Sequence, residues 1–316
     1  MKKLSFLLVI VSTFAFMTSC VSDESFFETE IKGQSNMRVV TYNVSNTDSK
    51  LKVALPESDV KSLIYLVYNQ SGNLYKYKTW NKGQDIAVIN DTLPQGNYTV
   101  AFYASTSTDA EVNIDFASSN LNSLNDGYIY LKDMLATDMF FHSSPLVIGG
   151  EDVSKAVLLS RMIGRVSVSV SDIANIPSDV ASVQFALAPN HPVAFMLGNQ
   201  QTVFAEYTEA NYKFFMPVTA EMTRAQFITA AASPISFYSL PGDATYNPSA
   251  LPVDLYCIIK KTNGKEVMLY LKQDLQVIRN KTINLTGTLF DKYNSSADYS
   301  NIQIDDQWGE TINDTF

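Results

Sequence analysis

Hydrophobic and polar positions alternate with period two over much of this chain and almost nowhere with the period of a helix. In NYTVAFYA, residues 97–104, Tyr98, Val100 and Phe102 fall on one face of an extended strand. Comparable short runs at Arg38–Val44, Leu51–Ala54, Ser62–Asn69, Leu74–Thr79 and Asp85–Asn90 complete a first group of predicted strands. Turn residues separate them: QSGN at 70–73, NKGQ at 81–84 and LPQGN at 93–97, with Asp91-Thr92-Leu93 read as a turn before Pro94. Residues 105–145 are looser, with a short helix expected near LKDMLATDM. A long apolar run, AVLLSRMIGRVSVSV at 156–170, then opens a second group. That group comprises Val180–Leu187, Tyr212–Phe215, Ile235–Ser239, Val253–Lys260, Glu266–Leu271 and Thr282–Phe290. Asn263-Gly264 between two apolar strands is the clearest hairpin signal, because both residues tolerate the positive φ of a tight turn. No segment holds helical periodicity long enough to build a parallel α/β sheet. The prediction is an all-β chain of two tandem antiparallel β-sandwiches, residues 37–160 and 161–291, followed by a tail at 292–316. No short sequence repeat relates the halves.

The amino end follows another pattern. Lys2 and Lys3 precede an apolar stretch from Leu4 to Met17, too short to cross a bilayer core of roughly 30 Å as a helix. A basic start, a short apolar run and small residues make residues 1–19 a signal peptide. Thr18 and Ser19 lead directly into Cys20, which resembles the lipobox of bacterial lipoproteins. There the signal is cut between the residues matching Ser19 and Cys20, and the cysteine sulfur carries a diacylglycerol. Met17 stands where leucine is usual. The alternatives for Cys20 are a disulfide with Cys257 or an idle thiol, but Cys257 lies in the apolar run VDLYCIIK and reads as a small buried hydrophobe. Residues 20–36 read as a lipidated tether, and its acidic patch (Asp23, Glu24, Glu28, Glu30) as either an export signal to the cell surface or a solvated spacer.

Composition narrows the function. Apolar residues make up 46% and aromatics 12%, enough to bury a core, while charged residues are only 17%. Net charge is −9, and −11 once residues 1–19 with Lys2 and Lys3 are removed, so nucleic acid is not an expected partner. No catalytic or metal motif emerges. His191 is wedged between prolines in PNHP, His142 follows an apolar run, and neither belongs to an HExxH pair. LNDG at 124–127 resembles a calcium-loop turn but has Leu124 where an oxygen ligand is required. No cofactor is expected, and the chain is not expected to be an enzyme. Trp80, with Tyr75 and Tyr77 nearby, raises a glycan-stacking reading. An odd interval separates Trp80 from both tyrosines, which favours packing in the core or across a strand.

DMFFHSSPLVI (138–148), AVLLSRMIGRVSVSV and VIRNKTINLTGTLFD (277–291) together resemble the fimbrillin superfamily of type V pilus proteins, and most of all its minor-fimbria anchor and accessory subunits. The resemblance implies two transthyretin-like β-sandwiches and a fimbrial subunit that is structural or adhesive. It also implies assembly by β-strand donation between subunits, in which a missing strand is supplied in trans. Its partners would be other fimbrial subunits, the outer membrane through the lipid, and a host protein or glycan. Stalk subunits of this kind are cut after an arginine. Here the single arginine before the first strand is Arg38, and the segment ahead of it is poor in strand-forming residues, which favours a retained lipid on an anchor or accessory subunit. In the tail, Ile302 and Ile304 share a face ahead of Trp308, and the segment reads equally as a donor strand or as a cap on its own domain. A surface glycan-binding lipoprotein or a tip adhesin is the alternative reading.

Overall fold

The computed structural model describes residues 36–46, 60–80, 86–106, 119–131, 137–206, 216–242, 253–291, 293, 302–304 and 309–313. Leu51–Ala54 and Tyr212–Phe215, both expected as strands, lie outside the described residues.

The first half contains β1 (Met37–Asn46), β2 (Ser62–Asn69), β3 (Leu74–Trp80), β4 (Val88–Pro94), β5 (Gly96–Ser105), β6 (Tyr128–Tyr130), β7 (Met139–Ile148) and β8 (Val153–Arg161). Seven of these strands form one path, β3-β2-β5-β7-β8-β1-β4. The path folds back on itself at β7–β8, where only Phe140↔Arg161 and Phe141↔Ser160 pair. One layer is then β3-β2-β5-β7 and the other β8-β1-β4. Tyr42, Tyr65, Phe102, Phe140, Leu146 and Val157 pack in the core between them. β2 is buried on both faces from Ser62 to Tyr68, which is why SLIYLVY reads as an unbroken apolar run rather than an alternating one. Leu63, Tyr65 and Val67 face the sandwich core, while Ile64, Leu66 and Tyr68 face a separate cluster.

The second half contains β9 (Gly164–Val170), β10 (Val180–Met196), β11 (Thr202–Glu206), β12 (Met216–Pro217), β13 (Met222–Thr223), α1 (Arg224–Ala230), β14 (Ile235–Ser239), β15 (Val253–Lys261), β16 (Glu266–Lys272), β17 (Thr282–Gly287), β18 (Ile302–Ile304) and β19 (Gly309–Asn313). One sheet runs β11-β10-β15-β16-β18 and the other β14-β9-β17-β19. A core including Val166, Phe185, Phe227, Cys257 and Leu285 draws on strands of both.

The two halves repeat one topology that no stretch of sequence betrays. β1 lies between an antiparallel neighbour, β4, and a parallel one, β8; β9 lies likewise between β14 and β17. The run β3-β2-β5-β7 has its counterpart in β11-β10-β15-β16. The sheets are therefore mixed where purely antiparallel ones were expected. Parallel pairs need long crossovers, and each half supplies one by returning its last strand beside its first.

Several local expectations change. AVLLSRMIGRVSVSV is not one element: β8 ends at Arg161, Met162 and Ile163 turn inward, and β9 starts at Gly164. Gly164 is required there, because a Cβ would sit 2.5 Å from the Ile278 carbonyl oxygen. Asp91-Thr92-Leu93 is not a turn but lies inside β4, and the chain reverses only at Gln95. His191 is likewise in a strand: β10 runs through PNHP, pairs His191 with Ala205, and absorbs the prolines at a register shift between Pro192 and Ala194. Of the helix expected near LKDMLATDM, residues 132–136 lie outside the described residues, while Leu131 lies in a β-bridge and Met139 in β7. Elsewhere, α1 carries a Thr223–Gln226 capping box. The Asn263-Gly264 hairpin closes through a three-residue loop, with Lys261 N–H on the Lys265 carbonyl at 2.7 Å and only Gly264 at positive φ.

A third cluster joins the halves. Ile64, Leu66, Tyr103 and Phe141 from the first sheet meet Phe195, Leu197 and Leu240 from the second half, with Met162 and Ile163 between. Beside it, Arg161 makes a two-pronged ion pair with Asp138 at 2.7 and 2.8 Å and donates to Asn280 Oδ1 at 3.0 Å.

Candidate assembly site

In a chain read as a strand-exchanging subunit, the chemistry resides in sheet edges and chain ends. Ser19, Cys20 and Trp308 lie outside the described residues. Arg38 is the second residue of β1 and pairs with Leu93 across the β1–β4 ladder. Its guanidinium donates to the Gly150 and Met37 carbonyls, while the next amide, Val39 N–H, donates to Asp152 Oδ1 at 2.8 Å. From Val40 onward β8 holds the other side. The peptide bond after Arg38 is thus stitched into the sheet.

The sandwich edge formed by β3 and β4 is sealed. Asp91 points inward from β4, and its carboxylate accepts Lys76 Nζ at 2.6 Å and the Tyr65 hydroxyl at 3.2 Å, with Lys78 Nζ at 3.7 Å. The Tyr42 and Tyr65 hydroxyls meet at 3.0 Å. Burial, reinforced by the Asp91 charge, pushes both phenol pKa values well above their ordinary range, so both groups stay protonated. An inward carboxylate facing edge lysines is a known device against unwanted strand addition. Trp80 sits edge-on to Tyr65 at 6.4 Å and packs against the core, Tyr75 pairs with Tyr98 at 5.7 Å, and Tyr77 is exposed on its own. The three aromatic residues of β3 are not assembled into one platform.

The opposite edge, between β7 and β8, is held differently. Beyond the two pairs at its closed end, side chains replace the ladder. His142 Nδ1–H donates to the Leu158 carbonyl at 3.0 Å, and Lys155 Nζ donates to the Pro145 carbonyl at 2.6 Å. The carbonyl can only accept, which places the proton on Nδ1. Burial, with help from the Lys155 charge, lowers the His142 pKa below its ordinary value and keeps the ring neutral at neutral pH.

In the second half the corresponding strands, β16 and β17, carry the tail. β18 pairs in parallel with β16, bringing Ile302 beside Met268 and Ile304 beside Tyr270, and β19 pairs antiparallel with β17. Just before the tail departs, the Asp172 carboxylate accepts three successive backbone amides, from Leu289, Phe290 and Asp291, at 2.8, 2.6 and 2.7 Å. Among the described residues no group of three or more His, Cys, Asp and Glu converges as a metal site would require.

Residues 32–314 match the family model of the fimbrillin-A associated anchor proteins Mfa1 and Mfa2. The chain belongs to that family. It is therefore a fimbrial accessory or adhesin protein, associated with the cell-surface fimbrium and with other fimbrial subunits. Among curated proteins none matches it. A solved protein of Bacteroides thetaiotaomicron described as an adhesin is 11% identical, with 88% of this chain and 96% of that one covered at a TM-score of 0.49. The tip fimbrial protein Mfa3 from Porphyromonas gingivalis, with a C-terminal truncation, is 12% identical, with coverages of 87% and 99% and a TM-score of 0.41.

In the sequence of this anchor-family chain Arg38 and the tail stand out, whereas Lys155 and Asp172 do not and Asp91 reads as part of a turn. Pro145 was the available signal for the β7 edge, since proline inside a strand belongs at an edge. Asp172 had no signal, because its three amides come from more than a hundred residues away.

Proposed function

We propose that this protein is a lipid-anchored fimbrial anchor or accessory subunit that keeps Cys20 on the outer membrane, exposed at the cell surface. The role is structural and adhesive rather than catalytic. The reading divides the chain into a tether, 20–36, two sandwich units, 37–160 and 161–291, and the tail from 292.

The supporting observation is the position of Arg38. A protease must take a substrate in extended form into its own cleft, and here the scissile bond belongs to a strand that the sheet already holds. Cutting would also release no strand, only the tether and the first two residues of β1. Assembly proceeds by strand complementation. The β3–β4 edge is sealed by Asp91, which leaves β7–β8 as the accepting edge of the first sandwich, while β18 and β19 occupy the corresponding strands of the second.

The test is the amino terminus of the protein taken from cells. Mass spectrometry should find diacylated Cys20, and a start at Val39 would refute the retained anchor. A Cys20→Ala protein should leave the membrane fraction.

A further inference from the structure

The two sandwiches repeat one topology but differ at one place. Where the second has β18 and β19 on β16 and β17, the first has, among the described residues, two backbone pairs at the closed end of β7 and β8 and, beyond them, hydrogen bonds from the His142 and Lys155 side chains. Those contacts consume the carbonyls of Leu158 and Pro145, which face into the space between the strands. An incoming strand needs edge carbonyls as acceptors for its own amides. Pro145 has no N–H to offer, so its carbonyl is the only backbone group it could contribute to such a ladder.

We propose that His142 and Lys155 form a latch that holds this edge closed, and that a docking strand must displace both side chains before it can pair. The inference rests on the strand-complementation reading above. Lys155 is the stronger half, because its charged amine makes the shorter bond and a lysine stem is long enough to bridge the splayed strands. His142 packs near Phe102, with ring centroids 6.3 Å apart, and closes the inner end next to the last backbone pair. The latch makes the accepting edge conditional. A strand that satisfies these carbonyls in a continuous ladder can replace it, whereas a loose apolar segment cannot.

The test is binding of a synthetic peptide of residues 294–316 to the full chain and to variants. Lys155→Met and His142→Ala should each tighten binding by roughly tenfold, since one hydrogen bond is worth about a decade in affinity. Lys155→Arg, which restores a donor, should return affinity toward wild type. Because both substitutions lie in the first sandwich, a change also separates binding there from exchange with the tail's own position in the second. Equal affinity of wild type and both variants overturns the latch and leaves complementation standing. Failure of the peptide to bind any of them, each confirmed folded by its melting curve, overturns both.

Discussion

Replacing Arg161 by Met tests the joint between the two halves most sharply. The Arg161 and Asp138 side chains are 8% and 11% exposed, so removing the guanidinium strands a carboxylate where water reaches it poorly. It also removes the donor to Asn280 Oδ1 and the cation stacked 5.1 Å above the Phe140 ring. Breaking one partner of such a buried pair costs about 3–5 kcal/mol. At roughly 2–4 °C per kcal/mol for a chain of this size, the melting temperature should fall by roughly 6–20 °C. Removing both charges is a different perturbation. In Arg161→Met with Asp138→Leu no buried charge is left over, so the double variant should recover to within about 1 kcal/mol of wild type or exceed it. Urea melts of the four proteins supply the cycle. A single-variant loss below about 1 kcal/mol, or a double variant as unstable as the single, would show that the pair is not desolvated as described.

Three other outcomes follow from the same geometry. Gly164→Ala should cost about 1–3 kcal/mol, because its Cβ would lie 2.5 Å from the Ile278 carbonyl oxygen and 2.7 Å from Val277 Cγ1; thermal denaturation reads it. The folded His142 pKa lies below its unfolded value, so the folded state binds fewer protons and its stability is lost as pH falls through and below about 6.5. Melting temperatures taken from pH 8 to 5 should fall faster for wild type than for His142→Gln, and parallel curves would contradict the burial assigned to the ring. Asp172→Ala should speed hydrogen exchange most at the amides of Leu289, Phe290 and Asp291, and unchanged protection there would rule out the carboxylate as their clamp.

The strands were legible because alternation and turn chemistry are local. Ser62–Asn69 and Ile235–Ser239 fall where the pattern placed them, and the β15–β16 hairpin is where Asn263-Gly264 put it. What stayed hidden depends on contacts between distant segments. The run 156–170 reads as continuous because Met162 and Ile163 are as apolar as their neighbours, yet they turn into the cluster that joins the halves. His191 sits in a strand because a register shift and pairing with β11 outweigh the local preference of two prolines. Asp91 looked like turn chemistry, and only its lysines on β3, brought across the sandwich, show why a carboxylate points inward. The short α1 was readable from Thr223 and Gln226, but seven residues are too few to register as a helical period.

The placement of β1 has a mechanical consequence. A pull on the amino end enters the folded body at Met37, and β1 is paired at seven positions to β4 and at seven to β8. The load runs along the strand while its ladder bonds lie across it. Both rows are therefore sheared together and must fail nearly at once, instead of peeling bond by bond as a terminal hairpin would. The first strand forms the grip of the molecule, and its strength comes from having a neighbour on each side.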